Sequence, residues 1–189
     1  MKRSLTIRNA EVVLPGRTDR TDVSVVKGQI FAIGNGIPEV GEVIDADGLF
    51  LLPGIIDPQV HFREPGANHK EDLHSGSCAA AAGGVTSFLD MPNNSPPVTT
   101  RLQMKEKKQL AAEKSVVNYG FFIGATPDNL EELNAVENVC GIKIFMGSST
   151  GDLLVDNPDV LENIFANGSR LIAVHAEDES ALQANQALL

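Results

Sequence analysis

The chain has 189 residues, a formal charge of −10 and an apolar fraction of 42%. This balance argues against nucleic-acid binding and fits a globular α/β protein. It contains no run of 18 or more apolar residues, so it offers no membrane-spanning helix. Its two cysteines, Cys78 and Cys140, are too few and too far apart for a disulfide scaffold and form no Cys-x-x-Cys pair; both read as small buried hydrophobes. The N-terminal stretch Met1 to Arg8 is basic but lacks the apolar core of a signal peptide, so the protein is expected in the cytoplasm.

Residues 1–52 read as short strands and turns. Leu5 to Leu14 ends at Pro15-Gly16, Val23 to Val26 and Gln29 to Ile33 flank a hairpin turn at Lys27-Gly28, and Glu42 to Leu52 carries Asp47-Gly48 inside it. From residue 53 to 189 the texture changes to apolar strands alternating with helices. Strands start near Ile55, Val85, Val116, Gly141 and Arg170, a step that suits a βα unit and predicts a parallel sheet.

The intervening helices carry start signals. Thr100 with Gln103 forms a capping box, and Thr126-Pro127-Asp128 and Asn157-Pro158-Asp159 each place a cap, a proline and an acid in helix-starting order. Glu71 to Ala82 is Ala-rich and stops at Gly83-Gly84. The run Lys105-Glu106-Lys107-Lys108 reads as a solvated helix face. A closed (β/α)8 barrel of the TIM type takes about 250 residues, whereas 135 follow residue 54. The expectation is therefore about five βα units of a barrel, in the N-terminal part of a longer protein.

Polar residues recur at the ends of the predicted strands: His61 after the first, Asn93 after the second, Lys143 in the fourth and His175 closing the fifth. In a parallel barrel these ends open on one face, where barrel enzymes keep their active sites. Imidazoles suit a metal. Arg63 offers a planar fork for a carboxylate and the Asn93 amide a further donor, though Arg63 could instead pair with Glu64 at the surface. A lysine between apolar neighbours is costly as a cation, so burial favours the neutral amine of Lys143, which can add carbon dioxide to form a carbamate. His69 and His74 are five apart and do not stack on a helix face, so they read as a solvated helix start. Gly147-Ser148-Ser149-Thr150-Gly151 lacks a Gly-Lys-Thr ending and reads as a loop over the barrel mouth rather than a phosphate loop.

Four phrases carry a family resemblance: His61-Phe62-Arg63-Glu64-Pro65-Gly66, Met91-Pro92-Asn93, Lys143-Ile144-Phe145-Met146-Gly147 and His175-Ala176-Glu177-Asp178. Together they resemble the dihydroorotase branch of the amidohydrolase superfamily. The resemblance implies a β-sandwich segment over residues 1–52 and a hydrolase barrel over 53–189. It implies zinc held by His61, His175 and a carboxylated Lys143 bridging two metals, with Arg63 and Asn93 on the substrate carboxylate. The activity implied is the reversible cyclisation of N-carbamoyl-L-aspartate to L-dihydroorotate in pyrimidine synthesis, by a homo-oligomer. Hydantoinase, dihydropyrimidinase and allantoinase use similar strands, and degenerate members serve as non-catalytic partners of aspartate carbamoyltransferase. Gln59 departs from the pattern, standing where most relatives have a first histidine. An amide oxygen is a weak zinc donor, so one metal is expected to be held firmly and the second weakly.

Overall fold

The computed structural model describes residues 4–147 and 153–186. The chain divides into two compact units, residues 1–53 and 54–189. In the first unit, β1 (Leu5–Leu14) is the centre of a five-stranded sheet with β2 (Arg17–Val26), β3 (Gln29–Gly34), β4 (Glu42–Asp45) and β5 (Phe50–Leu51). It pairs antiparallel with β2 and parallel with β4 and β5. The β2–β3 hairpin turns on Lys27 and Gly28, both at positive φ, as a two-residue primed turn requires. The predicted strand from Glu42 to Leu52 is two strands, because Gly48 at positive φ makes a turn closed by Leu49 N–H to Ala46 C=O at 3.0 Å. Ala10, Val12, Val23 and Ala46 form this unit's small core.

The second unit repeats strand and helix: β6 (Ile55–Val60), α1 (Leu73–Ala82), β7 (Val85–Asp90), α2 (Arg101–Lys114), β8 (Asn118–Gly124), α3 (Leu130–Ala135), β9 (Gly141–Phe145), α4 (Pro158–Asn167), β10 (Ile172–His175) and α5 (Glu179–Gln186). The strands form one parallel sheet in the order β10-β9-β8-β7-β6, the five βα units that the sequence predicts. Its core joins Phe62, Leu73, Phe88, Met104, Phe121, Ile123, Leu133, Ile142, Ile144 and Ile164. Phe88 is wholly buried and meets Phe62 edge-on with ring centroids 4.7 Å apart. Each such ring removed from water contributes about 1.5–3 kcal/mol.

Helix starts follow the capping chemistry at two of three predicted sites. Thr100 and Gln103 form the reciprocal capping box of α2, and Asn157 caps α4 with Pro158 in its first turn. At the third, α3 begins later than its signal. Thr126 N–H donates instead to the Asn129 side chain at 2.8 Å, and Thr126 Oγ1 donates to Asp128, so the Thr-Pro-Asp phrase builds a turn. Neither cysteine is buried as expected: Cys140 is half-buried, and Cys78 is exposed because α1 turns only Leu73, Gly76 and Ser77 inward. Among the described residues no helix is long and apolar enough to cross a membrane.

Candidate active site

The strand β6 ends irregularly, and that irregularity sets the site. Pro58 has no N–H to give a neighbouring strand, and the pairing with β7 shifts between Asp57 and Val60. Gln59 stands exposed in this bulge, its N–H turned back onto Asp57 Oδ1 at 3.1 Å. His61 follows directly. Its Nδ1 lies 2.8 Å from Asn93 Oδ1, across from the loop after β7. With the carboxamide oxygen facing the ring, a proton on Nδ1 would complete this hydrogen bond and leave Nε2 as the ring nitrogen outside it.

Arg63 is half-buried, two residues on from His61 in the same loop. The surface pairing with Glu64 is overturned, because Glu64 is buried and fully engaged elsewhere. Its carboxylate accepts from Leu73 N–H at 3.0 Å and Asn68 Nδ2 at 2.9 Å, and pairs with Lys114. The Arg63 guanidinium has no acidic partner among the described residues.

Further along the sheet, Lys143 is buried on β9, with its neighbours Ile142 and Ile144 in the core. Its Nζ sits 5.1 Å from the Phe145 ring centroid, with no hydrogen bond or ion pair among the described residues. Burial pushes its pKa down. The His175 ring centroid lies 6.3 Å from that of Phe145, and Nε2 is 2.8 Å from Glu177 Oε2. The structure thus brings His61 to Asn93, and Lys143 and His175 to a shared Phe145. Among the described residues no group of three or more His, Cys, Asp and Glu side chains is placed to hold a metal. His74 lies apart on α1, its Nδ1 3.1 Å from Lys114 C=O, and residues 148–152, which include most of the predicted mouth loop, fall outside the described residues.

The solvated reading of the run from Lys105 to Lys108 fails at Lys107. That side chain is wholly buried, with Nζ 2.7 Å from Asp90 Oδ2, itself wholly buried. The sequence held the signal: Met104, Lys107 and Ala111 recur at helical spacing, and all three are buried, so Lys107 lies on the apolar stripe.

Comparison with known proteins places this geometry. Residues 50–185 match the model of the amidohydrolase family. The chain belongs to that family. An allantoinase from Deinococcus radiodurans is 42% identical over 153 residues, covering 79% of this chain and 34% of the relative. A dihydroorotase from Methanosarcina acetivorans is 38% identical over 182 residues, 92% of this chain and 38% of its own length. Among solved structures, an L-hydantoinase (dihydropyrimidinase) from Arthrobacter aurescens superposes with a TM-score of 0.88 at 30% identity, over 98% of this chain and 43% of its own. The chain therefore spans about two-fifths of these family members. The parallel half-barrel seen here is the corresponding part of the amidohydrolase barrel.

Proposed function

We propose that the chain is part of a metal-dependent dihydroorotase, which interconverts N-carbamoyl-L-aspartate and L-dihydroorotate with loss or gain of water. The observation that carries this reading is Arg63. A half-buried guanidinium without an acidic partner among the described residues, two residues from the His61 that meets Asn93, suits a ring bearing a carboxylate. Asn93 spends its oxygen on His61 and keeps Nδ2 to donate to the same carboxylate, so one side chain aims both the imidazole and the substrate.

The donor set fits a metal. Lys143 is a buried cation with no anion beside it among the described residues, and its depressed pKa favours the free amine. That amine forms a nitrogen–carbon bond to carbon dioxide and releases a proton, becoming the anion that the site lacks. His61, His175 and carboxylated Lys143 would hold the metal, with Gln59 as a weaker oxygen donor at the edge of the set. A divalent metal held there supplies Lewis acidity toward the ring carbonyl and makes water a nucleophile near neutral pH.

A second reading, allantoinase, is favoured by the 42% identity to the Deinococcus radiodurans protein. The full-length parent, assayed with Zn²⁺ and bicarbonate on dihydroorotate and on allantoin, separates the two. Dihydroorotate turnover is expected, and Arg63→Met should lower its kcat/KM about 100-fold, or ~2.7 kcal/mol. Allantoin turnover indifferent to Arg63→Met would establish the second reading. A folded, metal-loaded protein that turns over neither ring, nor hydantoin or dihydrouracil, would favour a non-catalytic partner of aspartate carbamoyltransferase, which a pull-down against the carbamoyltransferase tests.

A further inference from the structure

Beneath the loops that carry His61, Arg63 and Asn93 lies a charge pair with no role in the proposed chemistry. Lys107 and Asp90 are each wholly buried, 2.7 Å apart, and the Lys107 Nζ also lies 4.8 Å from the Phe121 ring centroid. Burial pushes the Asp90 carboxyl up and the Lys107 ammonium down, each countered by its partner. A buried ion pair is often no more stabilising than an apolar pair of the same volume. Stability alone therefore gives no reason for this one.

Its contacts supply a reason. Asp90 Oδ1 accepts from Phe62 N–H at 3.0 Å. Lys107 Nζ donates to Met91 C=O at 3.0 Å and to Asn94 Oδ1 at 2.7 Å. The second bond forces the Asn94 amide to turn its Nδ2 outward, where it donates to Phe62 C=O at 3.3 Å and Glu64 C=O at 3.0 Å. The main chain of Phe62 is thus gripped at both its N–H and its C=O, and His61 and Arg63 are its two neighbours. Met91 and Asn94, both bonded to Lys107, bracket Asn93.

We propose that Lys107 is a positioning residue. Acting through Asp90 and Asn94, it sets the loop at residues 61–64 against the loop at 91–94, and so fixes the contact between His61 and Asn93 and the aim of Arg63. The inference deepens the proposed function and rests on its assignment of those three side chains.

Two variants of the full-length parent test it, Asn94→Ala and Lys107→Met. Lys107→Met strands Asp90 without its cation and can fail to fold, whereas Asn94→Ala keeps the ion pair and opens only the clamp. In the folded Asn94→Ala protein, kcat/KM on dihydroorotate should fall about 10–100-fold, the loss typical of groups that orient metal ligands. KM should rise, and Zn²⁺ retained per chain after dialysis should drop. Adding Arg63→Met to Asn94→Ala should cost less than Arg63→Met costs in the parent, because a misaimed guanidinium has less left to lose.

A folded Asn94→Ala protein with the parent's kcat, KM and zinc content overturns the proposal. So do fully additive losses, and so does failure of both variants to fold, which would make the network a core element only. If the parent hydrolyses allantoin instead, the substrate reading fails, and zinc retention with kcat on allantoin still decides the clamp. If the parent turns over neither ring, zinc retention decides it alone.

Discussion

The ends of β6 and β7 and the ends of β9 and β10 use buried charge in opposite ways. At β6 and β7 every buried ionic group has protein partners: Lys107 with Asp90, Met91 and Asn94, and Glu64 with Leu73, Asn68 and Lys114. At β9 the buried Lys143 has only the Phe145 ring among the described residues. A buried cation needs an anion or must give up its charge. Where the protein supplies all the partners, the group serves geometry. Where it supplies none, the group is open to the chemistry proposed for Lys143.

The sharpest way to break this contrast is Lys143→Met. Turnover by the metal-loaded parent should fall by about 10³-fold or more, since a metal's charge stabilisation is worth several kcal/mol. Removing the uncompensated cation should leave the melting temperature of the metal-free protein unchanged or higher. Activity and stability would then move in opposite directions, which Lys107→Met should not show. A kinetic assay beside a melting curve reads both, and a fully active Lys143→Met protein would sink the carbamate.

The contrast also marks how far the sequence could be read. Repeating elements were legible because they rest on local rules: the βα step, the Thr100 and Asn157 caps and the Lys27-Gly28 turn all appear where spacing and propensity put them. His61, Asn93 and His175 stand at or just past strand ends, and Lys143 within β9, as the alternation implied. Charge partners were not legible. The alternative partner for Arg63, adjacent Glu64, pairs instead with Lys114, 50 residues away. Lys107 looked solvated inside a charged run, although its helical phase put it on the buried stripe. Both cases show that charge read along the chain misses its partners, because tertiary packing decides which charges meet.

Gln59→His sharpens the β6 side of the comparison. Gln59 is exposed and forms no side-chain hydrogen bond among the described residues, so the substitution disturbs no packing. An imidazole is a better zinc donor than an amide. Elemental analysis of the full-length parent should show zinc rising from about one to about two per chain. No rise in occupancy would mean that Gln59 lies outside the ligand set and that the metal count is set elsewhere.

The smallest effect belongs to Lys114, whose ammonium reaches from the end of α2 to buried Glu64. The hydrogen bond to Glu64 is the main cause that raises its pKa above the usual lysine value. A base with a raised folded pKa contributes stability in full below its unfolded pKa of about 10.4 and loses it as pH climbs through the folded value. Lys114→Met should therefore lower the melting temperature slightly and by a constant amount from neutral pH to about pH 10. The gap should close above that, as the parent loses the same ion pair. Zinc content and KM should stay near the parent's, because the Lys107 clamp still grips Phe62 and Asn94. A variant that loses zinc as readily as Asn94→Ala would show that α2 positions the site along its whole length rather than at Lys107.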